Sequence, residues 1–236
     1  MELNIIVTSY ARAEERFDIM KNQLDKLNSK NIYFYPCFDG VDLTNDSYSL
    51  KINVKKGYVY RNGDNLTPGD IGCSLSHIGA ISMAKALNME YVIILEDDVL
   101  LAEDFQERME YLFKVLPKNW DHVYLSGVPH IEKLPPSEKL LITSMMNVRP
   151  SVWTDCTYAY IVRNTAYDKI VKGITSLETT TDDMINKLIF ETDTIKSYTL
   201  FPFAICANTS LGSANRGGEK MASNHPSVKY FKNKMT

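Results

Sequence analysis

Three adjacent carboxylates follow an apolar run near the middle of the chain. Tyr91–Leu95 is apolar, aromatic and β-branched, as expected of a strand buried on both faces, and Glu96, Asp97 and Asp98 come directly after it. Unpaired carboxylates are costly to bury, so these side chains should share a cation or a cationic ligand. Oxygen donors of this kind suit Mg²⁺ or Mn²⁺ that also carries phosphate groups. The alternative interpretation is a helix N-terminus at which acids favour the helix dipole.

A second acidic pair lies further along the chain. Asp182 and Asp183 follow the threonine run Thr179–Thr181, and the apolar residues after them recur at helical spacing. A threonine N-cap would place both acids in the first turn of a helix, where the dipole favours negative charge. Capping chemistry alone explains such a pattern, so by themselves these residues do not indicate a function.

The start of the chain predicts a strand, a helix and a second strand. Leu3–Val7 and Ile32–Phe38 have the apolar composition of buried strands. Between them, apolar residues recur at the spacing of an amphipathic helix: Phe17, Met20, Leu24 and Leu27. This order predicts parallel strands joined by a right-handed crossover. Arg12 and Arg16 in the first helical turn are either solvated or paired with an anion bound beyond the strand ends.

A strong helix start occurs at residue 67. Thr67 is a good N-cap, Pro68 suits the first helical position and Asp70 favours the first turn. We expect this helix to continue to about residue 87 and to turn three apolar residues towards the core: Ile71, Leu75 and Ile78. His77 lies near the edge of that stripe, where a histidine is usually a hydrogen-bonded, partly buried residue.

Further elements are expected in the second half of the chain. Three apolar runs predict strands: Trp120–Leu125, Tyr158–Val162 and Ile195–Phe201. Glu103–Leu116 is a predicted amphipathic helix, and Asn164 should cap a helix over Thr165–Lys172 that Gly173 ends. Residues 128–150 are expected to form a long loop or a small subdomain that faces substrate.

The composition is that of a globular protein: 236 residues, 44% of them hydrophobic, with a net charge of −3. That charge offers no basic surface for nucleic acid. Cys37, Cys73, Cys156 and Cys206 lie far apart in the sequence, which argues against a zinc site or a disulfide scaffold and favours a reducing compartment. We find no signal-peptide pattern and no apolar run long enough for a transmembrane helix, so we expect a cytoplasmic protein.

Three motifs in this order resemble those of glycosyltransferase family 25, which includes lipooligosaccharide and procollagen galactosyltransferases. They are LTPGDIGCSLSH at Leu66–His77, VIILEDDV at Val92–Val99 and WDHVYLSG at Trp120–Gly127. The predicted strand Tyr158–Val162 and the pair Asp182-Asp183 match later elements of the family. The resemblance therefore extends from Ile5 to about Asp183.

The resemblance implies an α/β fold of GT-A type, which is a Rossmann-like nucleotide-sugar-binding domain with a mostly parallel central sheet. It implies an inverting transfer of a hexose, galactose or glucose, from a UDP-sugar with the help of Mn²⁺ or Mg²⁺. Asp98 and Glu96 are then the expected metal ligands, and Glu96 and Asp97 would contact the ribose or a metal-bound water. The metal would neutralise the leaving diphosphate.

Further nucleotide-sugar contacts are expected from the matched segments and the start of the chain: Thr8, Ser9, Tyr10, Arg12, Gly69 and His77. The segment Thr8-Ser9-Tyr10 replaces the commoner Asn-Leu of the family, which could change contacts to the base or ribose. Asp70 stands where the family usually has glutamate and keeps the charge.

An inverting transfer needs one general base on the acceptor hydroxyl group. Asp182 or Asp183 is the expected residue, because the helix dipole favours the ionised form that a base requires. In the glycine-containing tail, His225 is a further candidate metal ligand and Arg216 a candidate phosphate contact in a closing lid.

We expect one domain over residues 1–207, with a donor half at about 1–127 and an acceptor half at about 128–207. Residues 208–236 should form a flexible C-terminal tail or lid, and a hairpin at Val54–Arg61 is a further expectation. The acceptor is either a glycan or a hydroxylysine-bearing, collagen-like protein, between which the sequence does not decide.

Two other functions compete with sugar transfer. A Mg²⁺-dependent phosphoryl-transfer enzyme would also place acids at strand ends, but the D-x-D-x-T and G-x-x-x-x-G-K patterns are missing from the sequence. A non-catalytic or degenerate nucleotide-sugar-binding domain is the other alternative. The presence of both acidic groups argues against it.

Overall fold

The computed structural model describes residues 1–10, 13–39, 66–211 and 226–234. In chain order its strands are β1 (Asn4–Ser9), β2 (Asn31–Pro36), β3 (Tyr91–Glu96), β4 (Val99–Leu101), β5 (His122–Tyr124), β6 (Val128–Pro129), β7 (Asn147–Pro150), β8 (Thr154–Asp155), β9 (Ala159–Arg163), β10 (Ser197–Phe201) and β11 (Ile205–Ala207). Its α-helices are α1 (Glu14–Leu24), α2 (Pro68–Ala86), α3 (Phe105–Val115), α4 (Pro136–Ser144), α5 (Tyr167–Thr175), α6 (Thr181–Phe190) and α7 (Pro226–Lys229). The predicted hairpin at Val54–Arg61 lies outside the described residues.

Seven strands form the central sheet in the order β2-β1-β3-β9-β5-β10-β7. β1 is parallel to β2 and β3, and β10 is parallel to β5. β9 is antiparallel to both β3 and β5, and β7 is antiparallel to β10. Five of the seven strands therefore run in one direction, and the predicted α/β class with a mostly parallel central sheet is confirmed.

Both faces of the central sheet are buried. Because successive residues of a strand point to opposite faces, neighbouring residues of the central strands belong to different apolar clusters. Ile5 and Ile93 belong to one apolar cluster, which α1 and α3 complete with residues such as Met20. Ile6 and Ile94 belong to a second cluster, on the side of α2, α5 and α6. The prediction that the run before the acidic cluster is a doubly buried strand is thus confirmed.

Helix α2 begins as its sequence predicts but packs on a different face. The Thr67 hydroxyl group accepts the N–H of Asp70 at 3.2 Å, and the Asp70 carboxylate accepts the N–H of Thr67 at 2.8 Å, which makes a complete capping box. Of the three residues expected to face the core, Ile78 is partly buried and packs against the cluster of Ile6 and Ile94, which confirms that expectation. The expectation is wrong for Ile71 and Leu75, which are only partly buried and belong to neither apolar cluster of the sheet. The buried positions are mostly small or polar: Gly72, Ser74, Ser76, His77, Ala80, Ile81 and Ala84.

Close packing explains this choice of face. The Tyr35 side chain of β2 lies so near α2 that a Cβ atom added to Gly79 would overlap its hydroxyl group. A helix turns small residues towards a neighbour that it approaches closely, and a stripe of large apolar residues cannot predict such an approach.

The helix predicted over Thr165–Lys172 also differs in its ends. Asn164 is not the N-cap of α5: it begins a short 3-10 helix, Asn164–Ala166, and the N-cap of α5 is Ala166. Gly173 does not end α5 but lies inside it, where an added Cβ would be 2.7 Å from the Leu188 Cδ1 atom of α6. Its small size serves helix packing rather than termination.

Residues 128–155 form a lobe beside β10. β6 pairs antiparallel with β8, a 3-10 helix covers Ile131–Lys133, and α4 leads to the sheet strand β7. Of the two alternatives for residues 128–150, the structureless long loop is therefore wrong.

A buried arginine anchors the described end of the chain. Arg108 is fully buried and pairs with Asp104 at 2.7 Å, and it donates to the carbonyl oxygens of Phe203 at 2.9 Å and Lys232 at 2.5 Å. The N–H of Phe203 also donates to the carbonyl of Tyr230 at 2.7 Å. Residues 226–234, which lie within the predicted flexible tail, are thus held on the core. The boundary at residue 207 and the lid stay predictions.

None of the helices that the structure describes is both long and apolar enough to cross a membrane. The cytoplasmic location stays a prediction.

Candidate active site

The C-terminal ends of β1 and β3 lie side by side and bring the first site residues together. Thr8 is the register partner of Glu96, and its hydroxyl group donates to the carbonyl of Leu95 at 3.2 Å. Just beyond β1, the N–H of Tyr10 donates to Asp97 Oδ2 at 3.0 Å. The parallel pairing of β1 and β3 therefore fixes the Thr8–Tyr10 segment against the acidic cluster.

Asp97 and Asp98 share a cationic partner from helix α1. Arg16 Nη1 lies 2.9 Å from Asp97 Oδ1 and 3.4 Å from Asp98 Oδ2, and both carboxylates are buried. Asp97 thus has a partner on each oxygen, the Tyr10 N–H and the Arg16 guanidinium group. Arg16 is therefore not simply solvated: it pairs with two carboxylates of the protein, and its contact with a bound anion stays a prediction.

Asp98 is less completely satisfied than Asp97. Its Oδ1 atom is buried and has no hydrogen-bond partner among the described residues. Burial, followed by the charge of Glu96, raises the pKa of Asp98 to about 7, although Arg16 opposes this shift. A buried carboxylate oxygen without a partner, beside two further acids, fits the needs of a cation.

Glu96 extends the acidic cluster towards helix α2. Its Oε1 atom accepts a hydrogen bond from the Thr157 hydroxyl group at 3.1 Å and lies 3.3 Å from His77 Nε2. The other ring nitrogen of His77 is 2.9 Å from the Tyr160 hydroxyl group. His77 is therefore a buried, hydrogen-bonded residue that also positions an acid of the site.

These residues line one cleft, which encloses about 440 Å³ of empty space, part of it open to solvent. Its lining residues are Thr8, Tyr10, Arg16, Cys37, Cys73, Ser76, His77, Glu96, Asp97 and Asp98. The all-oxygen set of Glu96, Asp97 and Asp98 fits Mg²⁺ or Mn²⁺, and the open oxygen of Asp98 is the atom best placed to be a ligand.

The second acidic pair lies in the first turn of α6, with Thr180 as N-cap, as predicted. Asp182 Oδ2 accepts the N–H of Cys156 at 2.7 Å, and its Oδ1 accepts the N–H of Asp183 at 3.0 Å. Burial raises the pKa of Asp182, although hydrogen bonds from Thr180 and the backbone oppose this shift. Asp182 therefore holds the loop that contains Cys156, which has a left-handed backbone with φ of 70°.

Two contacts connect this helix start to the cleft. The hydroxyl groups of Thr181 and Ser74 of α2 are 2.8 Å apart, and both residues are buried. Cys156, which binds Asp182, is adjacent in sequence to Thr157, which binds Glu96. The two acidic groups are thus joined through neighbouring residues of one short segment. The hydroxyl group of Thr179 donates to Asp183 at 3.1 Å.

The residues predicted to bind the nucleotide-sugar or the metal divide into three groups, whereas the predicted bases Asp182 and Asp183 are not among the lining residues of the cleft. Thr8, Tyr10, His77, Glu96, Asp97 and Asp98 line the cleft. Ser9 and Gly69 are not among its lining residues; Ser9 is buried and its carbonyl accepts the N–H of Cys37 at 2.9 Å. Arg12, Arg216 and His225 lie outside the described residues.

The sequence interpretation did not select Arg16, Cys37, Cys73, Ser76 or Thr157 as site residues. For Arg16 a signal exists, because two arginines in a first helical turn, where the dipole disfavours cations, indicate an anionic partner. Cys73 has another signal, its i,i+4 spacing to His77 on one helix face. Cys37 and Thr157 have no distinctive sequence pattern, because only the tertiary fold brings them to the cleft.

Comparison with known proteins identifies the family. Residues 2–185 match the sequence model of a protein family that is described as glycosyltransferase family 25 (LPS biosynthesis protein). The chain belongs to glycosyltransferase family 25. This confirms the resemblance found in the three sequence motifs. The chain is also similar to a crystal structure of a glycosyltransferase involved in the glycosylation of the major capsid of PBCV-1, with 10% identity, coverage of 84% of this chain and 81% of that one, and a TM-score of 0.47.

Some of the similar proteins are described as inactive in their names, and others are not. A procollagen lysyl hydroxylase and glycosyltransferase of Acanthamoeba polyphaga mimivirus is 26% identical over 64% of this chain and 18% of its own length. A probable inactive glycosyltransferase 25 family member 3 of Bos taurus is 25% identical over 67% of this chain and 27% of its own length. The chain spans about a fifth to a quarter of the length of the curated relatives it matches.

Proposed function

We propose that this glycosyltransferase transfers a hexose, galactose or glucose, from a UDP-sugar to a hydroxyl group with inversion and with the help of Mn²⁺ or Mg²⁺. The observation that carries the proposal is the buried Asp98 Oδ1 atom, which has no partner among the described residues. It lies at the C-terminal end of a strand, where α/β folds bind their ligands. Membership of the family supplies the class of reaction.

The three acids of the cluster have different tasks in this proposal. Asp97 is satisfied by the Tyr10 N–H and by Arg16, so it holds the end of β1 and the first turn of α1 in position. Asp98 offers an open oxygen and is the main metal ligand, with Glu96 as a further ligand or a contact to the ribose. When bound, the metal neutralises the diphosphate that leaves the sugar.

Asp183 is the better candidate for the general base. Both carboxylate oxygens of Asp182 accept backbone N–H groups, at 2.7 and 3.0 Å, and this gives Asp182 a structural task. In the reaction the base takes the proton of the acceptor hydroxyl group, the acceptor oxygen bonds to the anomeric carbon, and the bond to the diphosphate breaks with its electron pair on UDP. Asp183, in the first turn of α6, is stabilised as an anion by the helix dipole.

The acceptor is a glycan or a hydroxylysine-bearing protein. The second choice is supported by the name of the mimivirus relative, a procollagen lysyl hydroxylase and glycosyltransferase. The donor half at about 1–127, the acceptor half at about 128–207 and a lid that carries Arg216 and His225 complete the proposal.

The test is donor hydrolysis and transfer measured with UDP-galactose and UDP-glucose, with Mn²⁺ and with EDTA. We expect Mn²⁺-dependent release of UDP that Asp98→Asn abolishes. Asp168→Asn is a matched control, because Asp168 is an exposed partner of Lys85 outside the cleft. Activity that is unchanged in EDTA, or in Asp98→Asn, would contradict the proposal.

The second candidate is a non-catalytic nucleotide-sugar-binding domain, and the inactive label of the Bos taurus relative favours it. It predicts Mn²⁺-dependent binding of UDP without release of UDP from either donor. Measuring UDP binding and UDP release with UDP-galactose and UDP-glucose on the same sample therefore distinguishes an enzyme from a binding domain.

A further inference from the structure

A second, chemically different set of metal ligands lies on the α2 side of Glu96. The Sγ atom of Cys73, a ring nitrogen of His77 and a carboxylate oxygen of Glu96 all lie within 4.8 Å of one another. Glu96 is shared with the proposed Mn²⁺ site, whereas Cys73 and His77 are not ligands in that proposal. The set joins a thiol, an imidazole and a carboxylate in the wall of the same cleft.

The fold explains why these three side chains meet. Cys73 and His77 are four residues apart on α2, so they lie on the same face of the helix, one turn apart. Glu96 is the last residue of β3 and comes from a different element, 19 residues after His77 in the sequence. The absence of a C-x-x-C pair therefore could not exclude such a site, because its third ligand is brought in by the sheet.

The surroundings of His77 are those of a metal ligand. The Tyr160 hydroxyl group is fully buried and lies 2.9 Å from His77 Nδ1, which leaves Nε2 directed at Glu96 Oε1 at 3.3 Å. Histidine ligands commonly hydrogen-bond through the nitrogen that does not bind the metal, which fixes the ring and its tautomer. Without a cation, a proton on Nε2 links His77 to Glu96.

We infer that Cys73, His77 and Glu96 form a binding site for a thiophilic divalent cation of the Zn²⁺ class. Thiolate and imidazole ligands select Zn²⁺ and Co²⁺ over Mg²⁺, whereas the oxygens of Asp97 and Asp98 suit the harder cations. Three protein ligands would leave the fourth position of a tetrahedral ion for water or another ligand. On binding, the Cys73 thiol proton passes to solvent and the His77 proton resides on Nδ1, from which it is donated to the Tyr160 oxygen.

The test is a titration of the purified full chain with Co²⁺ alone, because a Co²⁺–thiolate bond gives a charge-transfer absorption band in the near ultraviolet. We expect this band in the wild type, its displacement by Zn²⁺ and its persistence in excess Mg²⁺. Cys73→Ser should abolish the band. Cys37→Ser is the matched control, since Cys37 lines the same cleft outside the ligand set, and it should retain the band.

A second variant keeps the inference falsifiable if Cys73→Ser does not fold. Tyr160→Phe removes only the hydroxyl group behind His77, and we expect it to weaken Co²⁺ binding by about 10- to 100-fold while the band remains. The inference is overturned if the wild type shows no band, if Cys73→Ser retains it, or if Tyr160→Phe binds Co²⁺ as tightly as the wild type. No nucleotide is present, so the result is independent of the proposed sugar transfer.

Discussion

At the end of β3, Asp97 and Asp98 share one arginine, whereas at the start of α6 Asp182 receives two backbone N–H groups. The first cluster keeps an acceptor atom, Asp98 Oδ1, without a partner in the described part of the chain. In the second, the backbone of the protein itself satisfies Asp182. Two groups of adjacent acids that look alike in the sequence therefore differ in how completely the protein satisfies their carboxylate oxygens. The first cluster leaves one buried carboxylate oxygen open, and the second stabilises the loop that contains Cys156.

The largest expected effect separates catalysis from binding. Asp183→Asn should lower the rate of sugar transfer by about 10²- to 10⁴-fold, because an amide cannot take the acceptor proton. Its Mn²⁺-dependent UDP binding should equal that of the wild type, measured by calorimetry on the same sample. A variant that loses UDP binding together with activity would place Asp183 in the donor site and break the proposed division of tasks.

The second effect is a pH dependence of stability caused by Asp98. Its folded pKa of about 7 lies above the ordinary carboxyl value, so between about pH 4 and pH 7 the folded state binds more protons than the unfolded state. The free energy of unfolding of the metal-free protein should therefore fall as the pH rises through this range, by on the order of 3 kcal/mol from this group.

Urea unfolding at several pH values in EDTA measures this slope. Asp182 contributes a shift of the same sign, so the difference between the wild type and Asp98→Asn isolates Asp98. Asp98→Asn should be the more stable protein at pH 8. If the free energy of unfolding depends on pH in the same way for both proteins, the pKa of Asp98 is not raised in the folded state.

A third effect tests the structural task of Asp182. Asp182→Ala should lower the free energy of unfolding by about 2 kcal/mol, because it leaves the N–H of Cys156 without its charged partner. Asp25→Ala, which removes an exposed partner of Lys21 at a position with an ordinary helical backbone, is the control and should change little. Equal unfolding midpoints for the wild type and Asp182→Ala would remove the contrast between the two acidic groups.

The smallest effect concerns the contact that holds α6 against α2. Thr181→Val keeps the shape of the side chain but removes the hydroxyl group that lies 2.8 Å from that of Ser74. We expect a loss of about 1 kcal/mol in thermal or urea unfolding. Thr175→Val makes the same change at an exposed helical position, and a loss as large there would show that the Ser74 contact contributes nothing specific.

Local patterns predicted much of this molecule. The run that ends in Glu96 gave both a doubly buried strand and the place of the acidic cluster, because strand composition and burial are coupled within a few residues. The capping box of Thr67 and the first-turn position of Asp182 followed from the chemistry of helix starts. The family motifs then connected these elements into one fold.

What the sequence did not predict depends on contacts between distant residues. Ile71 was expected to face the core, but the small residues of α2 do so because the helix lies close to Tyr35. Arg16 is paired with Asp97 and Asp98, which follow it by 81 and 82 residues. The anchoring of residues 226–234 depends on Arg108, a residue whose burial no local pattern indicates.

The most direct test of the account is calorimetric titration of UDP into the wild type and into Asp98→Asn, with Mn²⁺ and with EDTA. We predict binding to the wild type only when Mn²⁺ is present, and its loss in Asp98→Asn. Asp168→Asn should bind as the wild type does. Absence of UDP binding to the wild type in Mn²⁺, or equal binding by Asp98→Asn, would contradict the claim that the open oxygen of Asp98 holds the donor's metal.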